Sequence, residues 1–274
     1  MRLSDAGELG LLRELESRGL IVGAEHDAAE LGGGLVVTQD ALVEGVHFTF
    51  DRLSWRELGF RAAAVNVSDL SASAARPEAL IVTAALTGAT QLGDVVELYE
   101  GLAEAGVPVR GGDTTRAEQA LLSVTAIGRS GRVPGRAGAR PGDAIVVTGP
   151  LGGAGAAFRE GRFLRPPIRT EEGLRLGAVA TAMLDVSDGI AVDAGHIARR
   201  SGCRLVIDLE SVPRAGELDD LGFGEDFELL ATVRPSNSLL LGFPLIGHVE
   251  AGEGVELRLR GEPYELPGYE HFRS

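Results

Sequence analysis

One stretch divides this chain. Residues 129–142 are dense in glycine, proline and arginine and carry no apolar period. On either side, strand-like and helix-like patterns alternate. Two such blocks restrict the fold to a pair of α/β or α+β domains. The expected division is an N-terminal domain of residues 1–134 and a C-terminal domain of 135–274. In the first block, residues 9–20, 55–73 and 92–105 have helical patterns, the second of them rich in alanine. Residues 35–38, 79–86, 107–110 and 121–128 are strand-like. In the second block, 143–148, 178–184, 204–209, 227–233 and 255–259 predict strands, and a helix is expected from 189 to 200.

Composition narrows the chemistry. The 274 residues carry a formal net charge of −14, which argues against nucleic-acid binding, where phosphates must be neutralised. All 26 basic residues are arginine and none is lysine. A Walker-type phosphate loop and a kinase strand lysine are therefore excluded. If the chain handles a nucleotide, it does so with metals, arginines and backbone amides. Cys203 is the only cysteine, so no intrachain disulfide forms. No apolar run reaches membrane-spanning length, and a cytoplasmic location is expected.

The acids matter by position. Asp27, Asp40, Asp69, Asp113, Asp185 and Asp188 are expected at strand ends or turns beside glycine or hydroxyl residues. Loops outside strand ends are where α/β folds gather ligands, and grouped carboxylates suit Mg²⁺, which bridges them to phosphate oxygens. Each alone could equally be a turn or cap residue, and Asp188 could simply cap the helix that follows it. Asn66 and Asp69, at i and i+3, form either a solvent-facing stripe or a buried pair that requires a partner. Residues 149–155 are a glycine-rich turn, either a phosphate cradle or only a tight turn. His47, close behind Asp40 and Glu44, is the histidine best placed for a site role. His196 reads as an ordinary helix residue. No histidine has zinc spacing.

Several segments, in order, resemble one family. They are Asp40-Ala41-Leu42-Val43-Glu44-Gly45-Val46-His47-Phe48, Asn66-Val67-Ser68-Asp69-Leu70, Gly111-Gly112-Asp113-Thr114-Thr115, Asp185-Val186-Ser187-Asp188-Gly189, Gly224-Glu225-Asp226-Phe227-Glu228-Leu229 and Gly268-Tyr269-Glu270-His271-Phe272. The set is similar to the thiamine-monophosphate kinases, within the superfamily of aminoimidazole ribonucleotide synthetase and selenophosphate synthetase. The resemblance implies an N-terminal sheet that pairs with a second subunit's to make a homodimer, with ATP between the two domains. It implies ATP and Mg²⁺ as cofactors and thiamine phosphate as substrate. Carried over, Asp27, Thr38, Asp40, Asp69, Asp113, Asp185 and Asp188 match metal positions, with Asp40 and Asp188 the residues expected to matter most for catalysis. Tyr99, Gly112, Arg136 and Ser187 match nucleotide contacts, and His47, Glu225 and Tyr269 the thiamine phosphate pocket. Two positions depart from the family pattern: His26 stands where a carboxylate is usual, and Gln39 replaces a hydroxyl residue. The alternatives are another ATP-using enzyme of the superfamily, or a non-catalytic nucleotide or metal sensor.

Overall fold

A computed structural model describes residues 2–22, 26–266 and 268. The N-terminal half is built on a five-stranded sheet. Its strands are β1 (Ala29–Glu30), β2 (Leu35–Val43), β3 (Arg76–Leu86), β4 (Val109–Arg116) and β5 (Leu121–Arg129), in the order β1-β2-β5-β3-β4. Pairing is antiparallel except between β3 and β4. Along β3 and β5 buried residues alternate with half-exposed ones, because successive side chains of a strand point to opposite faces. Leu80, Val82, Leu122 and Val124 form the face packed beneath the helices.

Three helices belong to this half: α1 (Leu3–Ser17), α2 (Trp55–Ala72) and α3 (Leu92–Ala103). α1 is broken at Gly7, whose φ of 65° is not helical: a first turn, closed where the Asp5 carboxylate accepts the Arg2 amide at 2.9 Å, precedes the helix that the apolar pattern predicts. α2 starts at a capping box, in which Ser54 and Glu57 satisfy each other's backbone amides. It is buried on nearly every side. Small residues make that possible: a Cβ on Gly59 would lie 1.9 Å from the Leu98 carbonyl oxygen, and one on Gly101 1.9 Å from that of Arg56. The glycine pair lets α2 and α3 touch backbone to backbone.

The C-terminal half is a seven-stranded sheet in the order β12-β11-β8-β10-β6-β9-β7. The strands are β6 (Ala144–Val147), β7 (Ala180–Asp185), β8 (Arg204–Asp208), β9 (Leu229–Val233), β10 (Leu245–Glu250), β11 (Gly254–Leu259) and β12 (Glu262–Tyr264). Four helices accompany them: α4 (Gly153–Arg159), α5 (Thr170–Gly177), α6 (Ile190–Ser201) and α7 (Pro235–Leu241). The inner strands β6 and β9 are buried throughout, as expected of a sheet covered on both faces. Ile145, Val147, Ala182 and Leu184 pack with α6 residues Ile190 and Ile197. Their neighbours Val146, Met183 and Ala231 pack with Leu176 of α5 and Ala72 of α2. α2 therefore serves both halves, lying between the first sheet and the second.

The structure also relocates several acids. Asp40 lies inside β2 and Asp113 inside β4, rather than in turns after shorter strands. Cys203 is buried and free. No helix among the described residues is long and apolar enough to cross a membrane.

Candidate active site

Three segments bring carboxylates together. Asp27 precedes β1, Asp69 sits in the C-terminal part of α2, and Asp185 ends β7. One oxygen from each lies within 4.8 Å of the others. Thr38 of β2 donates its hydroxyl to Asp69 at 2.5 Å, and the Asp40 carboxyl, two residues along the same strand face, lies beside that of Asp69. Asn66 is fully buried; its side-chain oxygen accepts the Asp40 amide at 3.1 Å, and its amide group donates to the Ala62 carbonyl at 2.9 Å. The Asn66–Asp69 pair thus faces inward with partners, Asn66 buried and Asp69 half-buried. Ser68 donates to Asp185 across the domain junction.

Crowding shows in the proton affinities. Burial first, then the charges of Asp40, Asp185 and Asp27, push the Asp69 carboxyl well above the usual range. Burial and Asp27 push Asp185 up to about 7, against the opposing pull of Ser68 and Arg136. Asp40 is raised by burial and Asp27, with Asp69 working the other way. Buried like charges raise one another in this manner unless a cation offsets them. The donor set of the triad is oxygen only, which fits a hard divalent cation such as Mg²⁺.

The triad opens into a cleft of about 1310 Å³ between the two halves. Asp27, Thr38, Asp40, Asp69, Asp185, Asp188, Arg136, Ser187, His47 and Glu225 all line it. The Ser187 and Asp188 amides donate to the buried carboxylate of Asp193 in α6, at 3.1 and 3.0 Å. That bond holds the turn in which Asp188 is presented. Asp188 is not the cap of α6, since Gly189 occupies that position. Burial, followed by Arg136, Arg199 and Arg200, lowers the His196 ring to about 4, keeping it neutral beside this turn. His47 accepts the Val43 amide on Nδ1 at 3.1 Å. Arg61, buried in α2, donates to the His47 carbonyl at 2.8 Å and pairs with Glu225.

Other placements differ from expectation. Tyr99, Gly112 and Asp113 do not line the cleft. Register explains Asp113: it pairs with Thr83, which pairs with Ser123, which pairs with Ala41. That row is on the sheet face opposite to Asp40, whose own row runs through Val124, Val82 and Gly112. Tyr99 packs against the N-terminal core. Tyr269 lies outside the described residues. The turn at 149–155 is not an open cradle, because the amides of Gly152 and Ala154 donate to Asp226 at 2.6 and 3.1 Å. Gln39 bonds Ser123 on the open sheet face, and the buried His26 Nδ1 has no hydrogen-bond partner among the described residues.

Sequence reasoning missed Arg61, Ser68 and Asp193 as site-building residues, and also the aromatic wall. Phe158 and Phe223 lie 5.1 Å apart in the cleft, with the Arg52 guanidinium 4.1 Å over Phe158. A charged residue inside the otherwise apolar run around Arg61 was the available signal, since an unpaired buried charge is prohibitive.

Two family models match the chain: AIR synthase related protein, N-terminal domain, over residues 25–130, and its C-terminal domain over 140–260. Thiamine-monophosphate kinase of Aquifex aeolicus is 32% identical and aligns over 99% of this chain and 100% of its own. The chain belongs to the thiamine-monophosphate kinase family. The family's Escherichia coli K12 member is 35% identical, with 88% of this chain and 87% of its own covered. Among solved structures, AaThiL complexed with AMPPCP and TMP is 30% identical, covers 99% of both chains and superposes with a TM-score of 0.90. A chain of a HypE–HypF complex, 20% identical with a TM-score of 0.77, shares the fold.

Proposed function

We propose that this chain transfers the γ-phosphoryl group of ATP directly to the phosphate of thiamine phosphate, giving ADP and thiamine diphosphate, the last step in making that cofactor. The observation that carries this reading is the convergence of Asp27, Asp69 and Asp185 from both halves on the wall of a cleft of about 1310 Å³. The acceptor is a phosphate oxygen already ionised near neutral pH, so no general base has to remove a proton. The obstacle is the approach of two anions, and phosphoryl transfer is mainly positioning and charge neutralisation. Asp27, Thr38, Asp40, Asp69, Asp185 and Asp188 would hold Mg²⁺, which when bound neutralises phosphate charge. Arg136 and Ser187 would meet the nucleotide, and His47, Glu225 and Tyr269 the thiamine phosphate.

Asp113 finds a place in this reading through a homodimer. The first sheet leaves one face open, with Val37, Ile81, Leu121 and Ile127 half-exposed on it. A second copy covering that face would meet Asp113 there. A cytoplasmic location and a domain division at 134/135 belong to the same proposal.

A coupled ADP-release assay tests the function. ADP should form with thiamine phosphate and Mg²⁺, and not with thiamine. Nucleotide binding without ADP formation under those conditions would favour a sensor instead. ³²P trapped on the protein from labelled ATP would contradict direct transfer.

A further inference from the structure

Asp27 and Arg136 were expected to serve different ligands, one a metal and the other a nucleotide, yet they hold each other. A single Asp27 oxygen, Oδ1, accepts both Nε of Arg136 at 3.0 Å and Nη2 at 2.5 Å. That oxygen has no further lone pair to give. The Asp27 side chain is only 3% exposed and that of Arg136 26%, so solvent screens the pair little. Arg136 is also fixed from behind. The Gly135 carbonyl accepts the Met183 amide of β7 at 2.8 Å, and Ser201 of α6 receives the amides of Gly138 and Ala139 at 3.1 Å each. The backbone at Arg136 therefore belongs to the C-terminal half, while its guanidinium reaches a carboxylate of the N-terminal half. Asp185 and Asp193 also draw on its charge.

We infer that Arg136 and a divalent cation compete for Asp27, so that nucleotide and cation enter the cleft as a coupled pair. This rests on the proposed cation site. A guanidinium on one corner of the triad opposes a second positive charge there. Nucleotide phosphates offer Arg136 another anionic partner in the same cleft, and release of Asp27 raises the triad's affinity for the cation. By linkage, the cation raises nucleotide affinity by the same factor. Arg136 thereby couples the loading of the two as well as touching phosphate.

The test is Mn²⁺ binding to nucleotide-free protein, read from the electron paramagnetic resonance of free Mn²⁺. Wild type is compared with Arg136→Gln and with Arg136→Met, which retains an apolar stem; circular dichroism confirms that each is folded. Both variants should bind Mn²⁺ about tenfold more tightly than wild type, since one nearby charge shifts such equilibria by an order of magnitude or more. Equal or weaker binding in a folded variant would overturn the competition while leaving the cation site standing. No Mn²⁺ bound by any of the three would remove the cation site itself and the competition with it.

Discussion

Ser68, inside α2, donates its hydroxyl to the carboxylate of Asp185, the last residue of β7. One hydrogen bond thus ties the helix shared by both halves to the strand that delivers an acid from the second half. It also opposes the upward pull of burial on Asp185.

Ser68→Ala removes that opposition. The Asp185 carboxyl should hold its proton to higher pH, and the acid limb of the pH–rate profile should move upward. Loss of one buried hydrogen bond should also cost about 1–2 kcal/mol. A pH–rate profile and a urea melt check the two effects separately.

The raised carboxyls have a stability signature. Asp185 is pushed up to about 7 in the fold, against an ordinary value near 4 in the unfolded chain. Between those values the folded state keeps a proton that the unfolded chain has lost. Cation-free stability should therefore fall as pH rises from about 4 to 7. A cation needs the ionised form, so the stabilisation given by Mg²⁺ should grow over the same range. Thermal melts at pH 5.5 and 8, with and without Mg²⁺, measure both trends.

Asp69→Asn separates function from stability. The amide still offers an oxygen to the Thr38 hydroxyl, but it removes one of several crowded charges. Cation-free melting temperature should hold or rise, while turnover falls by about a hundredfold or more, as expected when a cation ligand is lost. A concurrent fall in stability would mark Asp69 as a structural residue instead.

Much of this arrangement is legible in the sequence, and the exceptions share causes. The alanine-rich pattern before Ser73 marks α2, and the ordered acidic motifs mark the triad. β10 escapes notice because Gly247 interrupts its apolar run; a Cβ there would meet the Val206 carbonyl oxygen at 2.0 Å, a close strand approach that resembles a turn signal in sequence. The face on which Asp113 lies is a matter of register across four strands, and no local pattern carries it. The role of Ser68 depends on a partner far along the chain and that of Asp193 on amides in the turn before its helix, which spacing alone does not reveal.

Asp226 supplies a prediction away from the triad. Its carboxylate, raised to about 6 by burial despite the amides that oppose this, caps the turn into α4. Asp226→Ala leaves those amides unpartnered and should destabilise the fold by about 1–3 kcal/mol. Because α4 carries Phe158 into the cleft, KM for thiamine phosphate should rise as well. A denaturant melt and a KM measurement test the pair of effects.

Most directly, crystals grown with Mn²⁺ and a non-hydrolysable ATP analogue would locate the cation by anomalous scattering. The account places manganese among the carboxylates of Asp27, Asp69 and Asp185, in contact with the nucleotide's phosphate oxygens. Manganese bound to the phosphates alone, with those three side chains turned away from it, would contradict the claim that acids from both halves hold the cation for phosphoryl transfer.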